Sequence, residues 1–273
     1  MLKENVRIGV VGLGFVGKAV RDGYGKLGAR KILTYDINGS GNCPDLVRLL
    51  EGSEYVFVCV PTPQKSRKPD FSIVHEVCSE MDKLCSKKKF VIKSTVLPSE
   101  MRLLADETVK NNHIIANPEF LTQRTALRDF LKPSRIIFGC DNRDVLRDVS
   151  RALGSLFYGK GVKIYRTGLE TAMKCKYAAN CFGFVKVLYF NAMHSWCGSQ
   201  EEYKTLLKTV LDSGWVAPMH TMVPGPDGGF GVGGACLPKD TNALAHELSK
   251  LGDFERFNFV RSALMYNDEI REE

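Results

Sequence analysis

Up to about residue 165, short apolar runs rich in β-branched residues alternate with segments whose apolar positions recur every three to four residues. The runs Arg7–Val11, Ile32–Tyr35, Tyr55–Cys59, Phe90–Lys93, Ile114–Ala116, Arg135–Phe138 and Val162–Tyr165 predict strands. Helical spacing covers Ile73–Cys85, Glu100–Val109 and Arg143–Leu153. Strands that are apolar throughout are buried on both faces. Their alternation with helices predicts an α/β fold, a doubly wound parallel sheet of Rossmann type.

After Thr167-Gly168 the pattern changes. From Leu169 to Trp196 there is almost no turn signal, which predicts one long helix. Shorter helices are expected at Gln200–Leu211, Pro238–Leu251 and Arg256–Glu269. The expected organisation is an α/β domain over residues 1–168 followed by an all-helical domain over 169–273. Two long irregular connections, Pro61–Pro69 and Pro224–Gly234, are candidates to carry function.

Composition narrows the class. The nine cysteines are scattered and none forms a Cys-x-x-Cys pair. That argues against a disulfide framework or a zinc site and for a reducing cytoplasm, and no metal is expected. The net charge of +7 is mild and spread along the chain. Its densest cluster, Lys87-Lys88-Lys89, reads as a solvated helix end, so no nucleic-acid partner is expected. A small anionic ligand suits the positive balance. The apolar start Ile8–Val20 is broken by four glycines and leads into a helix, so no secretory leader is expected. No run is apolar and long enough to predict a membrane span.

Gly12-Leu13-Gly14-Phe15-Val16-Gly17 follows the first strand directly and opens a helix, and Asp36 closes the second strand about twenty residues on. The glycines permit a tight turn and the approach of a pyrophosphate to free helix N-terminal amides. Asp36 would accept from both ribose hydroxyls and repel a 2′-phosphate, and Ile37-Asn38 offers no arginine to hold one. NAD is therefore preferred over NADP.

The run Gly231-Val232-Gly233-Gly234-Ala235-Cys236-Leu237-Pro238-Lys239-Asp240 delivers a cysteine to a helix start, with Pro238 in the first turn. A helix N-terminus favours thiolate, as does the charge of Lys239, and a covalent nucleophile is built this way. Lys176 and Asn180, four apart on the long helix, project from one face and could hold an oxygen that becomes negative as hydride leaves its carbon. Asn117-Pro118-Glu119-Phe120-Leu121 and Ser94-Thr95-Val96 both follow strands and belong at the carboxyl edge of the sheet, where such folds bind ligands. Glu119 could act as a general base and Thr95 could orient a water.

These motifs, with Val60-Pro61-Thr62-Pro63 and Lys176-Tyr177-Ala178-Ala179-Asn180, occur in the order seen in the UDP-glucose dehydrogenase family, and the chain resembles that family over nearly its whole length. The resemblance implies oxidation of a nucleotide sugar's C6 alcohol to a carboxylate in two NAD-dependent steps. Cys236 would trap the aldehyde as a thiohemiacetal that becomes a thioester. Glu119 would assist hydrolysis, Lys176 and Asn180 would stabilise oxyanions, and Asp240 would support the base and water network. It further implies cofactor contacts at Gly12, Gly14, Phe15, Val16, Gly17, Asp36, Pro61, Thr62 and Thr95. Substrate contacts would fall at Glu119, Phe120, Leu121, Lys176, Asn180, Gly231 and Gly233.

The chain also departs from the family. Where members carry a second glutamate and a glycine after Asn-Pro-Glu-Phe-Leu-x, this chain has Gln123 and Arg124, and Gln123 cannot act as a base. The glycine loop carries the extra residues Pro224–Phe230. Members continue past the helix beginning near Arg256 into a second α/β domain that grips the nucleotide. For this chain the expectation is that the remaining domains hold the substrate, that a partner chain supplies the missing part, or that the substrate is smaller. A homodimer through the helical domain is expected. Two other readings stay open. One is a two-electron dehydrogenase resembling the β-hydroxyacid group, which shares the lysine–asparagine pair and lacks the Cys236 loop. The other is a non-catalytic NAD-binding subunit.

Overall fold

The computed structural model describes residues 6–250 and 258–272. The chain divides into two compact units, residues 1–63 with 70–176, and residues 64–69 with 177–273.

The first unit is built on a seven-stranded sheet. Its strands are β1 (Arg7–Val11), β2 (Lys31–Tyr35), β3 (Tyr55–Val58), β6 (Lys89–Ile92), β7 (His113–Ala116), β8 (Arg135–Gly139) and β9 (Lys163–Thr167), in the order β2-β1-β3-β6-β7-β8-β9. The β1, β3 and β6 strands are buried along almost their whole length, as apolar strands sandwiched between helices must be. The helices are α1 (Phe15–Lys26), α2 (Leu46–Gly52), α3 (Ser72–Leu84), α4 (Pro98–Leu103), α5 (Ala126–Leu131) and α6 (Arg143–Gly154). Tyr24, Phe57, Phe130 and Phe157 form an aromatic nucleus of tilted and edge-on contacts. Gly23 makes it possible, because a Cβ there would lie 2.1 Å from the Phe130 ring.

The parallel doubly wound sheet is as expected, with one antiparallel pairing towards its far end. The β8 strand pairs antiparallel with β7, and β9 runs parallel to β8. The connection from β7 to β8 holds a 3-10 turn at Gln123–Thr125 and the six-residue α5.

Three local readings also change. The helix expected over Glu100–Val109 is α4 followed by a π-helical turn at Leu104–Thr108, closed by Val109 N–H donating to the Leu104 carbonyl. The lysines at 87–89 are not a solvated helix end. The α3 helix stops at Leu84, Lys88 donates to the Ser53 carbonyl, and Lys89 opens β6 between Glu54 at 2.6 Å and Asp148 at 3.4 Å. Residues 61–69 are not wholly irregular either. They contain a hairpin of β4 (Gln64–Lys65) and β5 (Lys68–Pro69), whose turn residues Ser66 and Arg67 both have positive φ.

The second unit combines that hairpin with α7 (Leu169–Trp196) beyond Lys176, α8 (Gln200–Asp212), α9 (Leu237–Lys250) and α10 (Asn258–Glu272). The hairpin packs on α9, and Arg67 pairs with Asp268 of α10 at 2.6 Å. Phe184, Leu188 and Val232 form one small core, and Phe190, Tyr203 and Val223 another. The expected helix ends at Leu251 and Arg256 lie outside the described residues.

Candidate active site

The turn from β1 into α1 has the shape of a dinucleotide cradle. Gly12 has φ +89°, and a Cβ there would lie 2.7 Å from the Cys59 carbonyl oxygen. Gly17 packs so closely that a Cβ would fall 1.9 Å from Gly12 O. Gly14 is different: a Cβ there would meet nothing within 4 Å, so this position faces open space at the helix start. No side chain caps α1 and its first turn holds no acid, which leaves that end free for an anion. Asp36 is half-buried and braces the turn, accepting from Leu13 N–H at 2.5 Å and from Asn38 N–H at 3.1 Å. This arrangement fits a dinucleotide. Phe15 and Val16 form the first residues of the helix. Pro61 and Thr62 lie just past β3, at the strand ends beside the turn, and Ser94 ties them in by donating to the Val60 carbonyl at 2.6 Å. Thr95 is half-buried directly after Ser94.

At the end of β7 the chain delivers Asn117 and Glu119, both buried. Glu119 Oε2 accepts from Leu121 N–H at 2.5 Å, and Oε1 accepts from Lys176 Nζ at 3.1 Å. The side chains of this ion pair are 8% and 5% exposed. Phe120 carries Arg135 on its ring at 4.1 Å and Lys176 at 5.4 Å. A second buried lysine, Lys93 at the end of β6, donates to Asn117 Oδ1 at 3.2 Å. Burial pushes its ammonium down to about 8, opposed by the charge of Glu119.

In the second unit, Cys236 is exposed immediately before α9, and its carbonyl accepts the Asp240 N–H at 2.9 Å. The thiol therefore stands at the positive end of a helix dipole. Asp240 is 1% exposed and accepts from Asn180 Nδ2 at 2.6 Å and from Lys239 Nζ at 2.7 Å. The Lys239 charge is thus balanced by Asp240. The glycine loop is clasped by two buried asparagines. Asn191 of α7 accepts from Gly231 N–H at 2.9 Å, and Asn267 of α10 accepts from Val232 N–H at 2.6 Å. Arg271 completes the clasp through Phe230 O and Asp227. A Cβ at Gly233 would lie 2.2 Å from Asp227 Oδ2, so a side chain there would displace the Asp227 carboxylate from its place in the clasp. Among the described residues, no group of three or more His, Cys, Asp or Glu side chains could hold a metal ion. No described helix is long and apolar enough to cross a membrane.

Two regions match profiles of one family. The UDP-glucose/GDP-mannose dehydrogenase NAD binding domain matches residues 44–157, and the central domain of the same family matches residues 170–269. The chain belongs to this family. Its NAD-binding domain and the cradle at Gly12–Gly17 make NAD the cofactor. The chain is 32% identical to the UDP-glucose 6-dehydrogenase of Rickettsia bellii (strain RML369-C) over 200 residues, covering 71% of this chain and 45% of that protein. It is 27% identical to the GDP-mannose 6-dehydrogenase of Azotobacter vinelandii, over 86% of this chain and 55% of that protein. The chain therefore spans about half the length of these relatives. In fold it is similar to a UDP-glucose dehydrogenase from Pyrobaculum islandicum, with a TM-score of 0.82, 22% identity, and coverage of 97% of this chain and 69% of that one.

Within this family member, the residues expected from sequence fall into three local groups. Gly12, Gly14, Gly17 and Asp36 form the turn, Glu119 and Lys176 form a buried pair, and Asn180, Asp240 and Cys236 gather around the start of α9. Lys176 and Asn180, read as neighbouring oxyanion donors, are instead each engaged by a carboxylate. Each keeps spare N–H groups, two on the ammonium and one on the amide. Gln123 and Arg124 are exposed in a 3-10 turn before α5. The sequence reading passed over Lys93, Asn191, Asn267 and Arg271. Lys93 stood beside the Ser94-Thr95-Val96 signal, whereas nothing in the sequence pairs Asn267 with Val232 thirty-five residues earlier.

Proposed function

We propose that this chain catalyses, or forms the catalytic half of an enzyme that catalyses, NAD-dependent oxidation of a nucleotide sugar's C6 alcohol to the carboxylate. The observation that carries the reading is Cys236, exposed at the start of α9 in a loop clasped by Asn191, Asn267 and Arg271, one turn before buried Asp240. NAD supplies the acceptor for each of the two hydrides. The thiol adds to the aldehyde carbon, giving a thiohemiacetal whose oxidation leaves a thioester, and water then releases acid and thiol. Lys176 and Asn180 offer their spare N–H groups to the negative oxygen at each stage. Glu119 takes a proton from the alcohol or the water, and Thr95 helps orient that water. The backbone at Gly231 and Gly233, with Phe120 and Leu121, would contact the sugar. The family membership and the named activities of the relatives support this reading.

The test is the number of NADH formed per sugar consumed from a panel of UDP- and GDP-sugars, with Cys236→Ala in parallel. Two per sugar in the wild type, falling to at most one in the variant, is expected. One per substrate in both proteins would favour a two-electron dehydrogenase of the β-hydroxyacid kind, and no turnover despite NAD binding would favour a binding subunit or a required partner chain. We further propose a homodimer. Phe182, Tyr189 and Trp196 recur seven apart on α7 and are 68%, 57% and 77% exposed, an apolar stripe suited to a second copy.

A further inference from the structure

Glu119 is a buried carboxylate paired with one buried ammonium, Lys176, while a second buried ammonium, Lys93, is held on Asn117 two residues before it. Lys176 donates to it directly at 3.1 Å. Lys93 acts on it through space, and is fixed by Asn117 Oδ1 at 3.2 Å, whose own amide donates to the Ile137 carbonyl at 2.7 Å. Burial disfavours the Lys93 ammonium, Glu119 and Cys59 favour it, and Lys176 opposes it. The Cys59 thiol, pushed up to about 12 by its own burial, is neutral at physiological pH, so the cluster carries two positive charges and one negative. A buried carboxylate needs one countercharge. Here it has two.

We propose that Lys93 is a positioning residue: it is the standing countercharge of Glu119, and it frees Lys176 to turn from the carboxylate to a substrate oxygen. The need for Lys176 to move rests on the function proposed above, whereas the two-cation arrangement does not. Without Lys93, drawing Lys176 away would strand the Glu119 carboxylate in a water-poor site. With it, the carboxylate keeps a countercharge close by and remains able to take a proton. Asn117 keeps the Lys93 ammonium from following.

The test needs no turnover, so its failure and a failure of the proposed reaction can be told apart. Thermal unfolding midpoints would be measured at pH 7, where Lys93 is charged, for Lys93→Met, Lys176→Met, the double variant, and each of these with Glu119→Gln. Either single replacement leaves one lysine against Glu119; Lys176→Met should lower the midpoint modestly, whereas Lys93→Met also removes the burial cost of that ammonium and should leave the midpoint level or higher. The double variant should fall below the sum of the singles by roughly 6 °C or more, the cost of an unpaired buried charge. Adding Glu119→Gln should return most of that excess. If the double variant does not fold, the triple variant should. Additive losses, or an excess that Glu119→Gln leaves unchanged, would overturn the proposal, as would a triple variant that also fails to fold.

Discussion

Replacing Asn267 by alanine should loosen the Cys236 loop without unfolding the protein. Asn267 is 6% exposed and Val232 is 3% exposed, so water cannot readily substitute for the side chain. The amide oxygen accepts from Val232 N–H at 2.6 Å, and the amide nitrogen approaches Val232 O at 3.4 Å. Alanine leaves the N–H unsatisfied, a loss of about 1–3 kcal/mol, while the weaker contact adds little. Taking about 2 kcal/mol, the locally open loop becomes roughly 30-fold more populated. Hydrogen–deuterium exchange over residues 229–236 should accelerate by about that factor, with β3 and β6 unchanged. Asn191→Ala should do the same at Gly231, because the bond there is 2.9 Å and equally buried. Under the proposed reaction, kcat should fall while NAD affinity holds. Unchanged protection at Val232 in a folded Asn267→Ala protein would refute the clasp.

Gly14→Ala should leave stability unchanged, since its Cβ meets nothing and φ is −63°, yet weaken NAD binding at least about tenfold by filling the approach to the helix start. Gly17→Ala, whose Cβ would fall 1.9 Å from Gly12 O, should cost about 1–3 kcal/mol as well; calorimetry and NAD titration separate the two. Lys93 ionises at about 8 in the fold and near 10.5 when unfolded, so the unfolded chain binds the extra proton between those values. Stability should therefore gain roughly 3 kcal/mol as pH rises from about 8 to 10.5, and urea titrations of Lys93→Met should lack that gain. Glutamate at Phe182, Tyr189 and Trp196 together should halve the mass measured by light scattering if the stripe joins two copies, and an unchanged mass would remove that reading. Asp240→Asn should destabilise less than Glu119→Gln in urea denaturation, since Lys239 is 22% exposed and can turn to solvent while Lys176 is 5% exposed and cannot.

The parts of this fold legible in sequence were those with short-range causes. Apolar runs located all seven strands of the main sheet, and the absence of turn residues located α7. Gly12–Gly17 and Cys236–Asp240 could be interpreted because each motif's chemistry is complete within ten residues or fewer. What failed was non-local. The antiparallel pairing of β8 with β7 has no local mark in the sequence, and the lysines at 87–89 were misread because their partners Ser53, Glu54 and Asp148 lie far along the chain. The hairpin at 64–69 escaped because its turn is made by Ser66 and Arg67 in left-handed conformations, without the glycine or asparagine that marks such turns.

The same distinction explains what the sequence withheld about the site. A lysine and an asparagine four apart on a helix announce two donors, but not the acids that hold them. Those acids lie 57 and 60 residues away from their donors. The pairing follows from burial: an ammonium or amide cannot stand unpartnered in a dry site, because an orphaned buried polar group costs about 1–3 kcal/mol. Each donor therefore rests on a carboxylate and keeps hydrogens in reserve. The two holders differ in how they tolerate the donor's departure. Asp240 keeps Lys239 at 2.7 Å, whereas Glu119 keeps the Leu121 N–H, with Lys93 held on Asn117 two residues before it. Under the proposal made above, the buried lysine that the sequence reading overlooked is the group on which the freedom of the recognised one depends.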